Sequence, residues 1–454
     1  MSVALDTLPD MRIFSHGSTL TDGGLALDLA PALTPAGLVD QPGFFHGFAT
    51  HPVVVTRSLL VLADIAATRY FRPAPAGMRD PILTANGDRL RAECFSACNG
   101  VLARLDLLAS GLDGGQIDHG TTNVDIGPAM RRALARVPRG ELLHLDVGTD
   151  RLRASTPAES VEERRVQMPD SWVRALGNAA ELTQPLVERF SVGAAAARRF
   201  VQALPRSGAT RTDQVWLSAV RGQLMTKPHR TPGGVRLLGT HRLAAVARLL
   251  ANLEGLTVYA PADGDGATAL EFALPGARLT LMLTVEPSRG FSGEGSLLTA
   301  LAAPNTAEDA DLISALLAFD PRIDESRLAR EANLPEPRVR AALAVLGASG
   351  RVGWDSHEQS WFHRELPHDP DRVERDNPRL VAAQRLVDAG AVTRNGDHWL
   401  VAGSEAGYRV QGESCTCTWY VRYAGSRGPC KHVLATRLIT RAEKATGTTE
   451  KAHA

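Results

Sequence analysis

The chain has 454 residues, 44% of them hydrophobic and 22% charged, with 50 Lys and Arg against 50 Asp and Glu. That length exceeds one ordinary core and predicts two to four domains, and the composition is that of a soluble globular protein. Zero formal net charge excludes a global field drawing the chain to nucleic acid or to a membrane, so any polyanion affinity has to come from a local patch.

At the N-terminus, Met1 to Thr7 has no basic stretch followed by an apolar core, so no signal peptide is expected. The most apolar run, Val53 to Ala63, is interrupted by Arg57 and falls short of a membrane span. Five cysteines in the chain, most of them in one cluster, fit a reducing compartment, and a cytoplasmic location is expected.

The expected fold class is a multidomain α+β protein. Residues 1–303 read as one or more α+β domains with approximate internal repeats. Up to residue 90 the pattern supports loops, a few strands and one helix around 53–70. Arg89 to Phe95 reads as a strand, with Cys94 and Cys98 four apart near its end. Two thiols with His119 as the nearest third ligand make an incomplete metal site, and buried small hydrophobes explain them better. Asp118, His119 and Asp125 flank a polar loop that enters a helix at Pro128, where capping is the simpler role. A strand over Glu141 to Gly148 follows.

The same rhythm returns at Phe190, with a helix Ala194 to Leu204 and a strand Gln214 to Val220. It returns again at Leu237, with a helix His241 to Asn252 and strands at 256–259, 269–274 and 279–285. Each unit carries Arg on the outer face of its helix. The arrangement resembles the helix-plus-hairpin units of sliding-clamp folds. Pro and Gly between Glu286 and Pro304 mark a boundary.

Residues 306–366 predict three helices (Asp309 to Phe319, Asp324 to Ala332, Pro335 to Ser349) and a hairpin of Arg351 to Asp355 with Ser360 to Arg364. That is a winged-helix-like layout. In a DNA-reading version, Arg338 and Arg340 of the third helix meet the groove or phosphates, although Glu336 shares their turn.

A third unit spans 380–442: an amphipathic helix, a hairpin about Asn395-Gly396, and a metal-ligand pattern. Cys415-Thr416-Cys417 is followed after twelve residues by Cys430-Lys431-His432, so three of five cysteines and one histidine fall within eighteen residues. These are the side chains zinc prefers, and four of them close a tetrahedral structural site. A Cys415–Cys417 disulfide closes a strained ring and leaves Cys430 unpaired. Residues 443–454 read as a flexible tail.

The pattern Cys-x-Cys, spacer, Cys-x-His, with Cys417-Thr418-Trp419-Tyr420 and Gly428 to Ala435 around it, resembles the SWIM zinc finger over roughly residues 395–442. That resemblance implies a ββα zinc module, held by one structural Zn2+ on Cys415, Cys417, Cys430 and His432, which binds nucleic acid or protein and performs no chemistry. By the same analogy, multidomain bacterial relatives work with MoxR-type ATPases and von Willebrand A proteins.

Between Arg409 and Lys444 seven basic residues face two acidic ones, with Trp419, Tyr420 and Tyr423 among them. Cations alternating with aromatics suit nucleic acid, and Trp419, Arg422, Arg427, Lys431 and Arg437 are the candidate contacts. No phosphate-cradling glycine loop, nucleophile elbow or His-Glu-x-x-His helix is present. The expectation is a non-enzymatic, zinc-dependent nucleic-acid-binding protein, for DNA rather than RNA, with a protein-interaction adaptor as the alternative.

Overall fold

The computed structural model describes residues 43–70, 81–114, 116–166, 170–205, 214–285, 291, 306–317, 320–364, 378–403, 407–423 and 429–450, with short segments before them. Those segments are four strands, β1 (Thr19–Thr21), β2 (Gly24–Ala26), β3 (Ala32–Thr34) and β4 (Gly37–Val39), paired as two hairpins. Most of the expected 286–304 boundary lies outside the described residues.

From Gly43 to Leu283 the element order repeats as strand, helix, three strands. The first unit is β5 (Gly43–Ala49), α1 (Pro52–Ala67), β6 (Ile82–Asn86), β7 (Arg89–Phe95) and β8 (Val101–Leu108). After the short β9 (Leu112–Asp113) comes β10 (His119–Asn123), α2 (Pro128–Arg136), β11 (His144–Gly148), β12 (Arg151–Ser155) and β13 (Ser160–Arg164). The third unit is β14 (Val187–Gly193), α4 (Ala194–Gln202), β15 (Gln214–Val220), β16 (Gln223–Lys227) and β17 (Val235–Leu238). The last has a 3-10 helix, Thr240–Asn252, then β18 (Gly255–Ala260), β19 (Thr268–Leu274) and β20 (Ala277–Leu283). The repeat expected from sequence is therefore present, with one more copy than the sequence rhythm displayed.

These strands build an eight-stranded antiparallel sheet ordered β10-β6-β7-β8-β20-β19-β18-β14, flanked by sheets of five and three strands. Its halves join where β8 pairs with β20, from Leu107↔Ala277 to Val101↔Leu283. Strand alternation gives the sheet two different faces. Leu90, Ala92, Leu105, Leu107, Leu279 and Leu281 point to the helices, and α1, apolar nearly all round, is buried there as such a helix must be. Pro52 in its first turn needs no intrahelical donor there.

The opposite face carries Arg89, Arg91, Glu93, Arg104, Asp106 and Arg278, and it too is buried. Its cover is the hairpin β21 (Val352–Asp355) with β22 (Ser360–His363), preceded by helices Thr306–Leu316, Glu325–Ala332 and Glu336–Ala348. Asp324 caps the middle helix through the N–H groups of Ser326 and Arg327. The three helices precede a hairpin that packs against the large sheet. Asp355 accepts from Arg91 at 2.6 Å and from Arg104 at 2.9 Å, and Arg364 holds Glu93 at 2.7 and 2.9 Å. Helix α3 (Asp170–Thr183), which the sequence reading lacked, packs on Glu336–Ala348 so closely that a Cβ on Gly177 would stand 2.6 Å from the Ala348 Cα.

The third unit has its own core. Strands β23 (Val392–Asn395), β24 (His398–Val401), β25 (Tyr408–Gln411) and β26 (Ser414–Cys415) form one antiparallel sheet. The β23–β24 turn places Gly396 at φ 61°, which glycine tolerates. Helices Pro378–Asp388, Thr418–Tyr423 and Lys431–Glu450 complete it, so the expected ββα is a larger fold of four strands and three helices. The last helix continues past residue 442, where the tail was expected to begin. Among the described residues no helix is long and apolar enough to cross a membrane.

Candidate metal centre

Cys415 ends β26, held by the register pair Val410↔Cys415. Cys417 is already off the strand: its carbonyl accepts from Val421 at 2.9 Å, starting the helix Thr418–Tyr423. The two ligands thus sit on either side of a strand-to-helix turn. Thr416 braces that turn, exchanging bonds with Arg409 at 3.0 and 3.1 Å. Cys430 stands before the helix Lys431–Glu450, its carbonyl accepting from Leu434 at 3.0 Å, and His432 lies in the first turn. Both ligand pairs therefore lie at helix N-termini, where unpaired N–H groups favour thiolate.

All four side chains are buried, and their ligand atoms lie within 4.8 Å of one another. His432 Nδ1 is 3.6 Å from Cys415 Sγ and 4.0 Å from Cys430 Sγ. A tetrahedron with metal–sulfur bonds of about 2.3 Å has edges of about 3.8 Å, so the four residues fit one metal ion. Backbone N–H groups of Cys417 and Tyr420 point at Cys415 Sγ and Cys417 Sγ, each at 3.4 Å. The Tyr408 ring stacks on His432 at 4.3 Å and fixes the imidazole plane. Contact with Cys415 holds the Cys430 thiol below the ordinary value, while the same contact and burial push Cys415 up. Burial raises Cys417. Four protein ligands leave no open position for substrate, which is the pattern of a structural site.

The other sequence candidates are scattered. Arg422 and Lys431 are exposed beside the cluster, as is Arg409. Arg437 is ion-paired with Glu413. Trp419 packs against the module core, with the Arg379 guanidinium 4.6 Å over its ring, so that ring face is already covered. Arg379 also donates to the Pro429 carbonyl at 3.1 Å, tying the helix Pro378–Asp388 to the ligand loop. Arg427 lies outside the described residues.

Arg338 and Arg340 lie on the helix Glu336–Ala348, outside the element set that carries the metal cluster. Asp309 takes Arg338 in a two-point bond at 2.6 and 2.8 Å, and Glu325 and Glu336 take Arg340 at 2.8 and 2.7 Å. Both charges are compensated within the helical unit. Cys94 sits in β7 with its thiol donating to the Leu62 carbonyl at 3.3 Å, and burial raises it. Cys98 lies in a turn, and among the described residues the four C-terminal ligands form the one metal-competent group.

Sequence reasoning missed the ionic cluster under β21–β22. Alternating Arg89-Leu90-Arg91-Ala92-Glu93 signals a strand with one polar face, and nothing local announces that Asp355 and Arg364, 264 and 271 positions from their partners Arg91 and Glu93, cover it.

No family model matches the sequence, and no curated protein matches it. Solved structures with partial likeness include the proliferating cellular nuclear antigen of Entamoeba histolytica, at 12% identity and TM-score 0.36, covering 54% of this chain and 99% of that one. The A. fulgidus PCNA bound to the C-terminal region of FEN-1 gives 13% and 0.35, covering 53% and 98%. The PCNA2–PCNA3 complex of Sulfolobus tokodaii gives 9% and 0.38, covering 53% and 98%. TM-scores below 0.5 do not establish a common fold, so these likenesses carry no functional reading.

Proposed function

We propose that the chain is a non-enzymatic nucleic-acid-binding protein whose SWIM-type module is held in shape by one structural Zn2+, with DNA preferred to RNA. The observation that supports it is the pairing of a closed, buried Cys3His ligand set with exposed cations around it, Arg409, Arg422 and Lys431. Three thiol ligands and one imidazole suit zinc over hard cations, which take oxygen ligands. A salt series of single-stranded and duplex DNA binding tests the reading: phosphate contacts predict a linear fall of log K with log salt. Weak binding with a flat slope would overturn it.

A second reading, a protein-interaction adaptor in a multicomponent ATPase-associated system, is favoured by one observation. Val421, beside Arg422, is 73% exposed, an apolar group offered to a partner rather than to phosphate. Compensation of Arg338 and Arg340 points the same way for the 306–366 unit, which acts as a cover for the large sheet.

A further inference from the structure

We propose that Arg379 is a positioning residue for the metal centre, which holds the two ligand pairs together. The metal-binding unit then starts at the helix Pro378–Asp388, upstream of the stretch that resembles a SWIM finger. This rests on the zinc reading of Cys415, Cys417, Cys430 and His432 and adds a residue outside their pattern.

The ligands come as two pairs, with twelve residues between Cys417 and Cys430. Closing such a loop costs conformational entropy, and the cost falls on metal binding unless the loop's ends are already held. Arg379 touches both ends. Its guanidinium carbon lies 4.6 Å over the ring of Trp419, which follows Cys417 closely. Its Nη1 donates at 3.1 Å to the carbonyl of Pro429, the residue before Cys430. A planar guanidinium can lie flat on a ring and donate within its own plane at once, whereas an ammonium is a point charge.

The arginine is itself held from a third direction. Its helix packs on the helix Lys431–Glu450, with Ala383, Leu386 and Val387 in the core that contains Val433 and Leu434. Just past the helix end, the Ala391 carbonyl accepts from Ala402 at 2.8 Å, which fixes that end to the sheet. His432 lies in the first turn of the helix that this packing supports. Apolar packing therefore sets the Arg379 backbone, and the side chain carries that position to both ligand arms.

Charge works in the same direction as geometry. Three thiolates and a neutral imidazole leave a bound Zn2+ with a net negative charge, because the ligands must lose their protons to bind. A guanidinium fixed at Pro429 offsets that charge from outside the ligand set. Partners of this kind, one step removed from the metal, typically change its affinity by about 10–100-fold.

The test uses the full chain loaded with Zn2+, and separately with Co2+, as native protein, Arg379→Ala, Arg379→Lys and Leu386→Ala. Leu386→Ala loosens the same helix but leaves the arginine bridge in place. Metal release to a chelator and the thiolate-to-cobalt absorption are read beside the unfolding midpoint of the module. Arg379→Ala should release zinc about 10–100-fold faster and shift the cobalt band. Arg379→Lys, which keeps the charge, should fall between it and the native chain. Leu386→Ala should lower the midpoint with little change in release or spectrum. Native release and spectrum in Arg379→Ala would overturn the proposal. So would release that follows the midpoint alike in Arg379→Ala and Leu386→Ala, since that is a purely structural role. A native chain that takes up no zinc removes the metal reading itself, and this proposal with it. One equivalent in the native chain, with Arg379→Ala unchanged, removes Arg379 alone.

Discussion

Asp355 and Arg91, 264 positions apart, are joined by a 2.6 Å bond in which both side chains are almost fully buried. Arg104 donates to the other Asp355 oxygen at 2.9 Å and its second nitrogen to the Trp354 carbonyl at 3.0 Å. The hairpin β21–β22 is thereby fixed to the middle of the large sheet. Removing one partner of a buried pair strands the other charge, at about 3–5 kcal/mol. Asp355→Ala should therefore lower unfolding stability by about that amount in denaturant titration. A loss below about 1 kcal/mol would mean the guanidinium groups find water.

The pH response of that contact has a defined sign. Burial alone raises Asp355, but Arg104 and Arg91 outweigh it and hold the carboxyl below the usual range; Asp106 behaves likewise, with Arg91 leading. A depressed folded value gives stability that is complete above the unfolded pKa of about 3.9 and lost as pH falls further. Unfolding free energy should decline below about pH 4 in the native chain, and Asp355→Asn should remove part of that decline.

His357 titrates the other way. Its Nδ1 bond to Glu271, 2.7 Å long, raises it above the ordinary value. A raised folded value contributes below the unfolded pKa of about 6.5 and fades as pH rises through the folded one. The imidazole is 44% exposed, so solvent screening keeps the contribution small. An NMR titration should find His357 above 6.5, and Glu271→Gln should bring it down.

Gly177 is where α3 meets the helix Glu336–Ala348. A methyl group there would meet Ala348 backbone at 2.6 Å and the Gly347 carbonyl at 3.0 Å, neither of which can swing aside as a side chain would. Gly177→Ala should cost about 1–3 kcal/mol despite alanine's better helix propensity. Equal or greater thermal stability in that variant would show that the two helices part easily.

The metal cluster was legible because its chemistry is local: eighteen residues hold all four ligands, and Gly428-Pro429 marks the turn before the second pair. Helix starts at Pro128 and Asp324 and the turn at Gly396 were legible for the same reason, being set by single residues. Long-range pairing was not. Arg338 and Arg340 read as a basic helix face until Asp309 and Glu325, from two other helices, fold against them. Arg91 and Glu93 read only as part of a strand, and their partners Asp355 and Arg364 lie far along the chain. α3 went unread, although Trp172, Ala175, Leu176 and Ala179 are buried at helical spacing.

The central claim is that a metal held by Cys415, Cys417, Cys430 and His432 shapes a surface that grips nucleic acid. Its most direct measurement is single-stranded DNA affinity alongside zinc content for the native chain and Cys430→Ser. The native chain should carry one equivalent of zinc. Cys430→Ser should lose it, unfold the C-terminal module alone and bind at least about ten-fold more weakly with a shallower salt slope. Equal affinity and slope in a zinc-free Cys430→Ser chain would contradict the account.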